Sequence, residues 1–161
     1  MKNLILIGFK SAGKTTLGRH ASMQLKRPLI DIDDFFQPSP REVYRALGRE
    51  RFRELEKGFL QTISSVVGHL IVAGGGVVLD ADNCTFLRHL GTVVHLQTPK
   101  EVIKKRVFSS ELPAFLEMPR PEEHFEEIYK DRLGIYLSVA HHNIITEADL
   151  WEVIRLDPFS E

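Results

Sequence analysis

The sequence predicts an α/β protein in which a parallel β-sheet lies between layers of helices. Short apolar runs alternate with helical stretches along the chain, which is the pattern that βαβ units produce. The first apolar run, Leu4–Ile7, leads directly into the glycine-containing stretch Gly8–Thr15, and a helical pattern follows at once. The hydrophobic content of 43% and the charged content of 27% are those of an ordinary globular protein. We therefore expect a single domain over residues 1–161.

The predicted strands are short apolar runs, as expected for a sheet covered on both faces. In chain order they are Leu4–Ile7, Leu29–Asp31, His69–Ala73, Thr92–Leu96 and Asn143–Thr146. Because helical patterns separate them, we expect these five strands to form one parallel sheet.

The stretch Gly8–Thr15 reads G-F-K-S-A-G-K-T and fits G-x-x-x-x-G-K-[ST], the phosphate-binding P-loop. It lies between a strand and the helical stretch Thr16–Leu25, so a chance glycine turn is the weaker interpretation. We expect its backbone N–H groups to bind phosphate, Lys14 to reach the β- and γ-phosphates, and the Thr15 hydroxyl to bind Mg²⁺. The predicted nucleotide-binding residues are Gly8, Ser11, Ala12, Gly13, Lys14, Thr15 and Thr16.

Two capping boxes predict the starts of helices, at Ser39–Glu42 and at Thr98–Glu101, each with proline at the first helical position. Gly48 can end the first of these helices, and a longer helix is predicted from Arg49 to Val67. Its apolar residues recur at steps of three and four and should face the core. They are Phe52, Leu55, Phe59, Ile63 and Val66.

The stretch Ser109–Pro121 lacks clear periodicity and contains three prolines, so we interpret it as a mobile loop, the lid at about 109–121. A helix is predicted to follow over Glu122–Ala140. The acidic run at its start is best interpreted as a solvated helix face.

The composition limits the classes of partner. A formal net charge of -1 gives no electrostatic reason to expect nucleic-acid binding. No apolar run approaches the roughly 20 residues of a membrane span, and Leu4–Ile7 is too short for a signal peptide. Cys84 is the only cysteine, which excludes an intrachain disulfide and fits a reducing compartment. We expect a cytoplasmic monomer in which Cys84 is a packed residue, a reactive thiol being the less common alternative.

Ligands of open α/β sheets bind at the carboxyl ends of the strands, where two further groups of residues lie. Asp31 and Asp33 follow the second strand and point the same way in an extended segment. One could serve Mg²⁺ and the other a substrate hydroxyl, although a solvent-facing acidic turn is the alternative. Gly74-Gly75-Gly76 follows the third strand and suits close approach of the backbone to a ligand, or a turn forced by packing.

Two arginines could bind an anionic substrate. Arg53 and Glu56 are three residues apart on one helix face, so the carboxylate can hold the guanidinium as a clamp for a substrate carboxylate. A surface ion pair is the alternative. Arg132 has mostly apolar neighbours in the late helix, which makes a purely solvated side chain less fitting.

Taken together, these motifs resemble those of the shikimate kinases. That family has a P-loop, a D-x-D after the second strand, an F-R-x-x-E on a helix, a G-G-G after the third strand and a late arginine before a tyrosine. Here these read Gly8–Thr15, Asp31-Ile32-Asp33, Phe52-Arg53-Glu54-Leu55-Glu56, Gly74-Gly75-Gly76, and Arg132 with Tyr136. The order holds over nearly the full length of the chain.

The resemblance implies a three-layer α/β/α fold with sheet order 2-3-1-4-5. It also implies transfer of the ATP γ-phosphate to the 3-hydroxyl of shikimate, a step towards chorismate and the aromatic amino acids. Asp33 would bind and orient or deprotonate the hydroxyl, and Lys14 would stabilise charge on the transferred group. Thr15 would bind Mg²⁺ directly and Asp31 through water. The substrate would contact Asp33, Arg53, Arg132 and the glycine triplet Gly74, Gly75 and Gly76, with Glu56 bracing Arg53.

The lid departs from the family pattern, which has Arg-Pro followed by apolar residues, the arginine reaching the ATP phosphates. The preferred alignment puts Leu112 at that arginine, whereas Arg120-Pro121 supplies the dipeptide but lies too close to Arg132. Arg120 could still swing in from the loop. Arg106 could stack on adenine or lie on a solvated helix face. The family also usually has glycine at Ser11.

Rival functions remain at this point. A gluconate kinase or another small-metabolite kinase would share the P-loop and the arginines. The changed lid leaves open a catalytically weak, nucleotide-binding regulatory module. A nucleoside monophosphate kinase is disfavoured because there is no second arginine-rich set, and a GTPase because there is no Asn-Lys-x-Asp motif.

Overall fold

The computed structural model describes residues 2–156. Its strands are β1 (Asn3–Ile7), β2 (Leu29–Asp31), β3 (Leu70–Val72), β4 (Gly91–Leu96) and β5 (His142–Ile144). Its α-helices are α1 (Lys14–Leu25), α2 (Pro40–Thr62), α3 (Ala81–Leu90), α4 (Lys100–Phe108), α5 (Pro121–Val139) and α6 (Glu147–Leu156). Short 3-10 turns lie at Ile32–Phe35, Val77–Leu79 and Ala114–Leu116.

The five strands form one parallel sheet in the order β2-β3-β1-β4-β5, which confirms the predicted α/β fold and strand order. β1 is the central strand, and Leu4 lies between Leu70 of β3 and Thr92 of β4. All five residues of β1 are buried, as expected for a strand covered on both faces. The P-loop therefore begins at the middle of the carboxyl edge of the sheet.

Helix α1 packs closely against β3 because residue 18 is glycine. A Cβ atom on Gly18 would lie 2.6 Å from Cγ2 of Val72, which is too close for two carbon atoms in non-bonded contact. Leu17 and Ala21 of the same helix are buried. This contact fixes the direction in which α1 leaves the P-loop.

In helix α2 the structure confirms the capping box at Ser39–Glu42 and the break at Gly48. The Ser39 hydroxyl accepts a hydrogen bond from the Glu42 N–H at 3.2 Å. Gly48 has φ 77° and ψ 172°, so it separates α2 into two helical segments. The second segment ends at Thr62 rather than at the predicted Val67. The expectation that Leu55 faces the core was wrong, because Leu55 is exposed and Glu56 is buried in its place.

The second predicted capping box was wrong. Thr98 is buried, but its hydroxyl donates to the carbonyl of Ala12 at 2.7 Å instead of capping α4. The N-cap of α4 is Pro99, which makes no side-chain cap. Tertiary contact with the P-loop has therefore overridden the local capping signal.

The predicted lid contains a 3-10 turn at Ala114–Leu116, and Leu116 within it is fully buried. Helix α5 begins at Pro121, one residue before the predicted start.

Cys84 is half-buried and its thiol donates to the Val78 carbonyl, so it is packed as expected. Within residues 2–156, no helix is both long enough and apolar enough to cross a membrane.

Candidate active site

The P-loop joins β1 to α1 in a conformation that needs positive φ angles. Gly13 has φ 103°, an angle at which a residue with a side chain would be strained. Ser11 adopts the left-handed region at φ 65°. The Lys14 side chain folds back over the loop, and its Nζ donates to the carbonyl of Phe9 at 2.9 Å. Burial lowers the pKa of Lys14 to about 8, against the opposing effects of Asp33 and Asp31. A bound phosphate would raise the pKa again, because its negative charge favours the protonated ammonium.

Thr15 and Asp31 meet at the edge of the sheet. The Thr15 hydroxyl donates to Oδ2 of Asp31 at 2.7 Å, and Oδ1 of Asp31 accepts from the Asp33 N–H at 3.1 Å. Hydroxyl and carboxylate oxygens are the ligands that Mg²⁺ prefers, so the residues fit the ion. No group of three or more His, Cys, Asp or Glu residues that could hold a metal occurs in the described part of the chain. An ion here would therefore need phosphate oxygens and water to complete its coordination.

Asp33 lies between the P-loop and the glycine turn. Its pKa is raised above the ordinary value, first by burial and then by Asp31, while Lys14 opposes the shift. Its Oδ1 lies 2.7 Å from the position that a Cβ atom on Gly74 would take. A partly buried carboxylate with raised proton affinity beside a phosphate site suits a group that accepts a proton from a hydroxyl.

The glycine turn after β3 packs directly against other groups of the site. A Cβ atom on Gly75 would lie 3.0 Å from the backbone nitrogen of Lys10, and one on Gly76 would fall on the Arg53 guanidinium. Packing is thus sufficient reason for glycine at these positions. The predicted contact of the turn with substrate remains a prediction.

Arg53 and Glu56 form the predicted ion pair on α2. Glu56 is only 2% exposed at its side chain, so this is not a surface pair. Burial raises the pKa of Glu56, while Arg53 opposes that shift. The Nε of Arg53 is buried and has no hydrogen-bond partner within residues 2–156. A buried N–H without an acceptor is costly, so a ligand oxygen that reached this atom would be bound favourably.

Arg132 is 6% exposed and has no carboxylate within ion-pair distance in the described part of the chain. Its guanidinium lies 4.5 Å from the ring centre of Phe115 and 5.5 Å from that of Phe9. The buried hydroxyl of Tyr136 interacts with Arg132 and donates to the carbonyl of Gly75. Burial raises the pKa of Tyr136 to about 12, so this hydroxyl keeps its proton.

A cavity of about 1010 Å³ joins these groups, with the P-loop at one end and the two arginines at the other. Most of the predicted site residues line it. They are Ser11, Ala12, Gly13, Lys14, Thr15, Thr16, Asp33, Arg53, Glu56, Gly74, Gly75, Gly76, Arg106 and Arg132. Gly8 and Asp31 do not line the cavity: Gly8 is the first residue of the loop, and Asp31 accepts the hydrogen bond of the Thr15 hydroxyl.

The two arginines of uncertain role occupy different places. Arg106 lines the cavity and donates to the carbonyls of Ser11 and Ala12, so it braces the P-loop. Arg120 has a 77% exposed side chain that pairs with Glu123 at 3.4 Å, and it does not line the cavity. The structure therefore does not bring Arg120 to the phosphate site.

Sequence reasoning missed a connection between the lid and α2. Glu117 of the lid accepts from Nε of Arg41 at 2.9 Å and from Nε of Arg45 at 2.7 Å, and Glu111 also pairs with Arg41. Arg41 and Arg45 are four residues apart on one helix face, which was the available signal. Nothing in the local sequence indicates that their partner lies more than 70 residues away.

Parallel strands in this order, with a P-loop on the central strand, are the architecture of the P-loop kinases, and the protein is one of them. Within that class the comparison is specific. The family model described as shikimate kinase matches residues 10–155, and the chain belongs to the shikimate kinase family.

Individual relatives agree with that assignment. A shikimate kinase of Caldanaerobacter subterraneus is 34% identical over 84% of this chain and 82% of its own length. One of Clostridium botulinum is 34% identical over 94% of this chain and 91% of its own length. The structure of the Acinetobacter baumannii enzyme in complex with shikimate superposes with a TM-score of 0.87 at 30% identity, over 97% of this chain and 92% of that one.

Proposed function

We propose that this protein is a shikimate kinase, which transfers the γ-phosphoryl group of ATP to the 3-hydroxyl of shikimate. Family membership supports the reaction, and a solved relative is described with shikimate bound. The observation in the molecule that carries the proposal is the incompletely paired cationic end of the cavity. Arg132 lacks a carboxylate and Arg53 has a buried free N–H, so this end suits a small carboxylic acid.

The transfer would be carried by residues on both sides of the cavity. The acceptor hydroxyl oxygen forms a bond to the γ-phosphorus while the bond from that phosphorus to the β,γ-bridging oxygen breaks. The hydroxyl proton passes to Asp33, whose burial strengthens it as a base. ADP leaves with the electron pair of the broken bond. Lys14, released from the Phe9 carbonyl, would hold the β- and γ-phosphates.

Mg²⁺ would be held by Thr15 directly and by Asp31 through water, in keeping with their mutual hydrogen bond. The ion supplies charge neutralisation for the phosphates when it is bound.

We also propose that the chain acts as a single-domain cytoplasmic monomer on small molecules, with neither nucleic acid nor membrane as a partner. The net charge of -1 supports this view for nucleic acid.

The decisive experiment measures ADP release with shikimate as the acceptor and identifies the phosphorylated position by NMR. We expect turnover well above the ATPase background. Asp33→Asn should lower kcat by about 10²–10⁴-fold, the range typical of a lost general base, with ATP affinity retained.

Two outcomes would overturn the proposal. Turnover with gluconate but not shikimate would identify the rival small-metabolite kinase. ATP binding without turnover of either acid would identify a nucleotide-binding regulatory module.

A further inference from the structure

The cavity is lined by six lysine and arginine side chains in the described residues. They are Lys10, Lys14, Arg41, Arg53, Arg106 and Arg132. Five of them already contact protein groups, as described above: carbonyl oxygens, carboxylates, or aromatic rings with a hydroxyl. Within residues 2–156, the ammonium of Lys10 alone among them makes no hydrogen bond and no ion pair. This is a free, exposed positive charge at the phosphate end of the cavity.

Lys10 also lies at the junction of the two substrate subsites. It is in the P-loop, and its backbone nitrogen lies 3.0 Å from the position that a Cβ atom on Gly75 would take. The P-loop therefore touches the glycine turn at this residue. The charge of Lys10 lowers the pKa of both Lys14 and Asp33, so it acts on both groups between which the phosphoryl group would pass.

Phosphoryl transfer needs positive charge at this junction. In the transition state, negative charge is spread over the three equatorial oxygens of the transferred group, which is fully bonded to neither ADP nor the acceptor. A lysine has a flexible four-carbon stem, so an exposed one in the P-loop can follow the group. The lid does not supply a cation there, because residue 112 is leucine and Arg120 is paired with Glu123 on the outer surface.

We propose that Lys10 is a catalytic residue whose ammonium contacts the γ-phosphoryl group of ATP and stays with it during transfer. Lys10 neither gives up a proton nor forms a covalent bond; it stabilises the charge on the transferred oxygens. The inference rests on the proposed function only in requiring that ATP bind in this cavity with its γ-phosphate towards Asp33. It assigns to the P-loop a second cation in addition to Lys14.

The first test needs no acceptor. Three variants are compared for binding of two nucleotides: Lys10→Gln, Lys10→Arg and the control Lys130→Gln. The control removes an exposed charge on α5 away from the cavity. The nucleotides are ADP and the ATP analogue with an imido group in place of the β,γ-bridging oxygen. We expect Lys10→Gln to weaken the analogue by about tenfold or more, as for a lost charge-assisted hydrogen bond, while ADP changes by less than about twofold. Lys10→Arg should keep most of the affinity for the analogue.

The second test is kinetic, with shikimate as the acceptor. Lys10→Gln should lower kcat by about 10²-fold, the scale of one lost transition-state donor, with little change in the KM for shikimate. Equal weakening of ADP and the analogue, or nucleotide affinities matching those of Lys130→Gln, would overturn the role of Lys10. Absence of shikimate turnover in the unaltered protein would instead contradict the proposed function, and the nucleotide measurements would still decide the role of Lys10.

Discussion

The two ends of the cavity differ in how their charged and polar groups are satisfied. At the phosphate end, Lys14 donates to the Phe9 carbonyl and Thr15 donates to Asp31, so both of these buried or half-buried groups have a partner within the protein, unlike the exposed Lys10 ammonium. At the other end, Arg53 has a buried N–H without an acceptor and Arg132 is buried without a carboxylate, within residues 2–156.

This difference indicates two modes of binding. A nucleotide at the phosphate end must replace hydrogen bonds that already exist within the protein. The free energy gained from each new contact is therefore small, because an existing hydrogen bond is lost for it. An anion at the arginine end relieves a cost of desolvation that the ligand-free protein already bears. We therefore expect the arginine end to destabilise the empty protein and to discriminate strongly between ligands.

The strongest test of this comparison is Arg132→Met, which keeps the volume and removes the charge. The affinity for shikimate should fall by about 100-fold, because charge-assisted bonds to the carboxylate are lost. The affinity for ATP should change by less than about twofold. The melting temperature of the ligand-free variant should be no lower than that of the parent, since a buried cation without a carboxylate is removed. Isothermal titration calorimetry and differential scanning calorimetry measure these quantities.

Arg51→Met serves as the control, since Arg51 is an exposed arginine of α2 outside the cavity. It should leave both affinities unchanged. A clear drop in the melting temperature of Arg132→Met, or equal losses of shikimate and ATP affinity, would mean that Arg132 supports the fold rather than the substrate.

A smaller effect is expected at the phosphate end, from pH. Lys14 has a pKa of about 8 in the ligand-free protein, and the phosphates of ATP favour its charged form. Above pH 8 binding must therefore take up a proton, and the affinity falls as the pH rises. From pH 7 to pH 9 we expect ATP binding to weaken by about tenfold.

Titrations at several pH values, in buffers of different ionisation enthalpy, should show the proton uptake directly. In Lys14→Arg the guanidinium stays charged over this range, so the dependence on pH should disappear even if the affinity is low. An affinity that rises above pH 8 would contradict the assignment.

The smallest effect should come from the lid, which lines the cavity through Pro113, Ala114 and Phe115. Glu117→Gln weakens the contacts with Arg41 and Arg45, which are exposed and screened by salt. We expect the KM for shikimate to rise by about threefold at low salt, with kcat nearly unchanged. Glu123→Gln, which affects only the outward-facing Arg120 pair, is the matched control. An effect that persists at high salt would mean that the lid is held by its apolar contacts.

Much of the fold could be predicted because its signals are local. The P-loop spacing, the apolar strands and the break at Gly48 all depend on adjacent residues, and the structure confirms them. The pairing of Arg53 with Glu56 was also predictable, since the two are three residues apart on a helix.

The features that sequence reasoning missed depend on contacts between distant segments. Thr98 has the local pattern of a helix cap but is engaged by the Ala12 carbonyl, 86 residues away. Glu117 lies 72 residues or more from its arginine partners. Leu55 has the right spacing for the core, but the buried ion pair of Glu56 takes the inward position. In each case tertiary contact outweighed a local preference.

The space beside Gly76 has an evolutionary consequence. The Arg53 guanidinium occupies the volume that any side chain at position 76 would need. Any side chain at position 76 would therefore require the Arg53 guanidinium to move, which would disturb its ion pair with Glu56. Across descendants of this chain, we expect changes at positions 76 and 53 to be coupled.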